Sequence, residues 1–285
     1  MKESTIMKKV FALILALSLV LASSLALADK ITIAVPNDAT NEGRALLLLQ
    51  QYGVLTLNEE AGILATGKDI VSSKVEIELY EVEAANVPNV KDDVDYAIIN
   101  SNYALDAGFN PTQDALLIEK ESPYANVLSV KDGNQDTDEA KALAAALTSA
   151  KVKEYIEATY EGAVISAVEE PGDGFDPTVD YAALAGKTIT VAASPTPHAQ
   201  ILAVAAEILA EKDIKLEVIE FSDYVVPNTS VEDGEIFANY FAHVPYQENF
   251  NAENGTHLVN VAAIHVEPMG LYGGKQADVS ALGIE

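Results

Sequence analysis

Short runs of β-branched residues alternate with helical stretches along this sequence, and the series begins twice. Residues 31–35 read as a buried strand and 41–52 as a helix, with Asn41 as its N-cap and Gly53 as its stop. Strands at 75–82, 94–99 and 125–130 follow, then helices at 138–148 and 150–160. The pattern restarts with a strand at 188–192, a helix at 198–211 and a strand at 216–221. A helix between two strands carries the chain back to lay the second strand parallel to the first. The expectation is therefore an α/β protein with mostly parallel sheets. Between the two series, 169–186 holds Pro171, Gly172, Gly174, Pro177 and several acids, and reads as a flexible surface linker.

At the N-terminus Lys8 and Lys9 precede an apolar run at 10–21, and Ala26, Leu27 and Ala28 follow. A basic start, a short apolar stretch and a small-residue cleavage site describe a secretory signal peptide over 1–28. The run is shorter than the roughly 20 residues a bilayer span needs. The chain contains no cysteine, so disulfides, thiol chemistry and a lipid-bearing cysteine are all unavailable to it. The expectation is a periplasmic or otherwise exported protein, cleaved after Ala28, with no lipobox cysteine and no direct membrane anchor. A formal charge of −27 argues against nucleic acid as a partner, because phosphate contacts need clustered Lys and Arg.

Polar residues gather where strands end, which is where open α/β sheets bind ligands. After the first strand comes Asn41, in the opening turn of a helix whose free N–H groups suit a carboxylate, with Arg44 one turn further on. From pattern alone, Asn41 is equally a plain cap and Arg44 a solvent-facing residue. Asn100 follows the strand at 94–99, and Asn126 opens the strand at 125–130. A denser group holds Tyr224, then Phe241, His243 and Tyr246, then His265. Such rings, mixed with amides and histidine, line small pockets with an apolar floor, and they also occur as ordinary core. No G-x-S-x-G, P-loop or H-E-x-x-H motif is present, so the chain is read as no enzyme and needing no cofactor. An alternative is an exported metal-binding protein using His198, His243 and His265, although their spacing is not that of a ligand set.

Five segments resemble signature stretches of the MetQ/NlpA family of methionine-binding proteins. They are PNDATNEGRALLLLQ at 36–50, SPYAN at 122–126, FSDYVVPN at 221–228, NYFAHVPY at 239–246 and HVEPMGLY at 265–272. Their order is exchanged relative to the family, so the chain resembles a circular permutant. The resemblance implies a two-lobed periplasmic-binding-protein fold of type II, capturing L-methionine or a closely related amino acid. It also implies an ABC permease and, through it, its ATPase as partners. One lobe would be 29–109 and the other 110–168 with 187–275. Residues 169–186 would join the family's original termini, and 276–285 would form a tail. One interlobe crossing would survive near 106–122 and the other would be cut, easing hinge opening. Carried over by motif, Arg44 and Asn41 would meet the ligand carboxylate, and Asn100 and Asn126 would bond its charged groups. Tyr224, Phe241, His243 and Tyr246 would surround its side chain, with His265 supporting the wall. Ala242 stands where the family usually has a longer polar residue.

Overall fold

The computed structural model describes residues 30–120 and 122–285, and the expected signal peptide lies outside the described residues. Two sheets carry the fold. The first runs β4-β1-β5-β13-β6, with β1 at Ile31–Pro36, β4 at Ile77–Val82, β5 at Tyr96–Ile99, β6 at Leu117–Ile118 and β13 at Gly270–Gly273. The second runs β10-β9-β11-β7-β12-β8. Its strands are β7 at Ala125–Lys131, β8 at Ile165–Ser166, β9 at Thr188–Ala193, β10 at Lys215–Glu220, β11 at Ala238–His243 and β12 at Leu258–Val266. A small hairpin of β2 (Leu55–Leu57) and β3 (Ile70–Ser73) stands apart from both.

Each sheet has its own apolar core. The helix Ala39–Gln51 lays Leu46 and Leu49 against Ile33 and Ile98 in the first lobe. In the second, the helices Asp138–Leu147, Ala150–Tyr160 and Gln200–Ala210 bury Leu143, Ile156, Leu202 and Leu209 against Leu128 and Val191. The central strand β5 is buried along its whole length, as its unbroken apolar sequence requires of a strand covered on both faces.

The sheets are mixed, not mostly parallel. β1 pairs in parallel with β4 and β5, but β13 is antiparallel to β5 and β6. In the second sheet β9, β10 and β11 are parallel, while β7, β12 and β8 run against their neighbours. Two of the reversed strands, β7 and β13, are those that directly follow the passages between lobes. A strand arriving from the other lobe enters its sheet in the opposite sense.

Those passages revise the expected lobe limits. The chain crosses between β6 and β7, through 119–124, and again between β12 and β13, through 267–269. The first lobe therefore includes β6, β13 and the segment after it. Leu282 is fully buried in its core, and Tyr96 Oη donates to the Asp278 carbonyl at 2.6 Å. Both crossings are covalently intact, so the expected loosening of the hinge by a missing one does not arise. The segment 169–186 is also more than a flexible connector. It contributes Val179 and Leu184 to the second core, with Phe175 packed edge-on against Tyr181 at 5.6 Å.

The helix Ala39–Gln51 starts before its expected N-cap. Asp38, not Asn41, caps it, accepting the Asn41 N–H at 3.0 Å. Gly43 sits inside this helix because the turn Gly62–Leu64 presses against it. A β-carbon there would lie 2.2 Å from the Ile63 carbonyl oxygen. Helix propensity alone predicts that Gly43→Ala stabilises by roughly 0.8–1.0 kcal/mol. The backbone contact reverses the sign, and urea denaturation should show a loss on the order of 1–3 kcal/mol, the scale of overpacking.

Candidate functional site

A narrow cavity lies between the lobes. Asn41, Arg44 and Asn100 reach it from the first lobe, Asn126, Phe241, His243 and Tyr246 from the second, and Tyr224 from the loop after β10. Eight of the nine residues singled out in the sequence thus border one space. His265 does not; it is fully buried behind the wall.

Arg44 is bonded on several sides. Its Nε and Nη2 donate to Glu119 Oε1 and Oε2 at 3.1 and 2.7 Å, a two-point pairing of fork to carboxylate. Nη2 also donates to Ser122 Oγ at 3.2 Å and to the Glu267 carbonyl at 2.6 Å. The guanidinium carbon stands 4.3 Å from the Tyr124 ring centroid. One edge of the guanidinium is therefore already filled by an internal acid, which the sequence reading did not anticipate. Among the described residues no hydrogen bond occupies Nη1, and Arg44 lines the cavity.

Asn41 does not offer a free helix end. Asp38 holds its backbone N–H and also accepts its Nδ2 at 2.9 and 3.1 Å, placing a carboxylate where a ligand anion was expected. Burial raises the Asp38 pKa, and the bonds from Asn41 and Thr40 oppose that rise. The Asn41 Oδ1 then accepts from Asn100 Nδ2 at 2.8 Å and from His243 Nε2 at 3.2 Å, tying the two lobes through one amide. His243 is the N-cap of the helix Val244–Asn254, its Nδ1 accepting the Tyr246 N–H at 3.2 Å. Burial, assisted by the Arg44 charge, holds its pKa well below the usual histidine value.

The aromatic wall is continuous. The Tyr224 ring lies 5.7 Å from Phe241 and 5.6 Å from Tyr246, and Tyr246 Oη donates to the Tyr224 carbonyl at 2.8 Å. Opposite it, polar atoms are left over. Asn100 Oδ1 and Asn102 Nδ2 are buried with no hydrogen-bond partner, one an acceptor and the other a donor. Buried polar groups are nearly always paired, so an unpaired complementary couple in a cavity wall is a strong pointer to a polar guest.

Glu119, Ser101, Asn102 and Glu267 were not assigned roles from sequence. Glu119 follows directly on β6, and Glu267 stands between the apolar end of β12 and Pro268, so a charged residue at a strand end was the available signal. Behind the cavity, Glu267 Oε1 accepts from His265 Nε2 at 2.7 Å and lies 3.3 Å from His198 Nε2. Tyr240 Oη bonds His265 Nδ1, and His198 Nε2 donates to Asn126 Oδ1 at 2.9 Å. Burial pushes the pKa of both histidines down to about 3, so they are neutral at ordinary pH.

His198, His265 and Glu267 have ligand-type atoms within 4.8 Å of one another. His243, the third histidine of the metal alternative, is not among them. Its ring nitrogens face Asn41 and the Tyr246 backbone instead. The three clustered groups already hydrogen-bond to one another and to Asn126.

A family profile described as NlpA lipoprotein matches residues 21–168 and 189–283. A probable D-methionine-binding lipoprotein MetQ of Vibrio cholerae is 40% identical over 134 residues, 47% of this chain and 50% of that protein. Membrane lipoprotein TpN32 of Treponema pallidum is 41% identical over 135 residues, with the same coverage of each. The chain thus spans about half the length of the curated relatives it matches. A nutrient-binding protein from Burkholderia cenocepacia, solved bound to methionine, is 42% identical with a TM-score of 0.46, covering 50% of this chain and 61% of that one. The expectation of an anchorless exported protein is overturned here, since the family and these curated relatives are named as lipoproteins. That expectation rested on the absence of cysteine from the sequence.

Only 3% of the Arg44 side chain and 7% of the Glu119 side chain are exposed. Arg44→Ala alone should cost about 3–5 kcal/mol in chemical denaturation, because it strands a buried carboxylate. The double change Arg44→Met with Glu119→Leu should recover most of that loss.

Proposed function

We propose, from the premise that the chain belongs to the NlpA lipoprotein family, that it is a non-catalytic substrate-binding protein capturing methionine or a closely related amino acid for an ABC importer. Its partners would be the importer's permease and, through it, the ATPase. One observation carries the reading: a single interlobe cavity joins a cationic side chain, unpaired amide atoms and an aromatic wall. An amino acid presents the matching parts, with a charged head at one end and a side chain at the other. Tyr224, Phe241 and Tyr246 suit a thioether, whose contacts with aromatic rings add about 0.3–1.5 kcal/mol each. Arg44 Nη1 and the free amide atoms would meet the head group, with Asn41 and His243 holding the lobes closed around it. The relatives named for methionine support the choice of ligand.

A thermal-shift screen of the amino acids tests this. Methionine at a hundredfold excess over its Kd should stabilise the protein by about 2.7 kcal/mol. A screen in which no amino acid raises the melting temperature would remove the proposal.

We also propose that the family's two halves are joined here in exchanged order. Gly283 packs against Lys74 and Val75, while the Ile31 N–H bonds to the Glu76 carbonyl at 2.8 Å, so residues 31 and 283 lie on one edge of the first lobe. Permutation is tolerated where ends are exposed and close. A chain with residues 283 and 30 linked and a new opening within 169–186 should fold with the same melting temperature and ligand response. Failure of that chain to fold would count against the exchanged order.

A further inference from the structure

A carboxylate with no hydrogen-bonded cation stands at the edge of the cavity. Glu267 is almost wholly buried and lines the space beside Arg44. Arg44 acts on its charge only at a distance: the two-point pairing goes to Glu119, and Arg44 hydrogen-bonds only the Glu267 backbone carbonyl. The side-chain neighbours of Glu267 are His198 and His265, both neutral. Burial raises the Glu267 pKa, opposed by the nearby His198 and Arg44 and by the Asn102 backbone N–H, so in the closed cleft its charged form lacks a full partner. An isolated buried charge is costly unless something pairs with it.

The polar atoms around the cavity fall into two sets. Acceptors are Glu267 and the unpartnered Asn100 Oδ1. Donors are Arg44 Nη1, the unpartnered Asn102 Nδ2 and the Asn126 amide nitrogen, whose own oxygen is held by His198. An ammonium has only donors and a carboxylate only acceptors. Resting on the reading of this cavity as an amino-acid site, we infer that Glu267 is the counter-charge for the ligand's α-ammonium and makes a free primary amine a requirement for binding. His198 and His265 are positioning residues. His265 is itself fixed by Tyr240, and the two rings hold the Glu267 oxygen and the Asn126 amide in place without adding charge. A neutral scaffold leaves the carboxylate available to the incoming cation, which a lysine or arginine in the same place would not.

Titration calorimetry on the full protein tests the inference with three ligands: methionine, its 2-hydroxy analogue and N-acetylmethionine. For the unchanged protein, methionine should bind at least a hundredfold more tightly than either amine-blocked ligand. Glu267→Gln keeps the shape and the bond from His265 but removes the charge. It should weaken methionine by at least thirtyfold and narrow the preference over the hydroxy analogue to under tenfold. Glu267→Asp, which withdraws the charge by one methylene, should fall between the two and serves if the Gln variant does not fold. Unaltered methionine affinity and unaltered preference in a folded variant would overturn the role of Glu267 and leave the amino-acid reading standing. Absence of binding by the unchanged protein to any amino acid would overturn both.

Discussion

The arrangement of this protein turns on one buried guanidinium. Arg44 starts from a helix of the first lobe and bonds Glu119 and Ser122 in one passage between lobes and the Glu267 carbonyl in the other. Glu119 in turn accepts the Met269 N–H at 3.2 Å, so the acid belongs to both passages as well. A buried ion pair is a weak source of net stability, because desolvation opposes the attraction, but removing half of it is severe. Its use here is geometric. It fixes the place where two strands of backbone leave one lobe for the other, and so fixes the floor on which the cavity is built.

What surrounds that floor follows from how few polar atoms the closed lobes can satisfy. Asn41 is saturated by Asp38, Asn100 and His243. Asn100 and Asn102 each keep one atom free, and Tyr224 takes the other Asn102 atom at 2.7 Å. The protein forms one continuous contact between lobes and leaves a pocket where the complement runs out. The pocket so formed has one wall with unsatisfied amide atoms and another made of aromatic rings.

Much of the fold was legible because burial on both faces writes itself into sequence as unbroken apolar runs. β1, β5, β7, β9 and the helices Asp138–Leu147 and Ala150–Tyr160 all lie close to where periodicity put them. β6 and β13 escaped because strands of two and four residues carry no period to count. The cap of the first helix was misplaced because Asp38 and Asn41 are both good capping residues and only the fold chooses between them. At the cavity, the residues were picked out by the family's motifs, since amides and rings at strand ends also serve as caps and core. The partners that orient them were not. Glu119 lies 75 positions from Arg44, and no local pattern links them.

His243 has a further effect through its place at a helix start. Because its Nδ1 lone pair is committed to the Tyr246 backbone, the ring must carry its proton on Nε2, and that proton points to Asn41. An imidazole tied down in this way has no basic nitrogen to offer at this point of the wall. It works instead as a rivet, pinning a helix start on one side and an amide of the other lobe on the other.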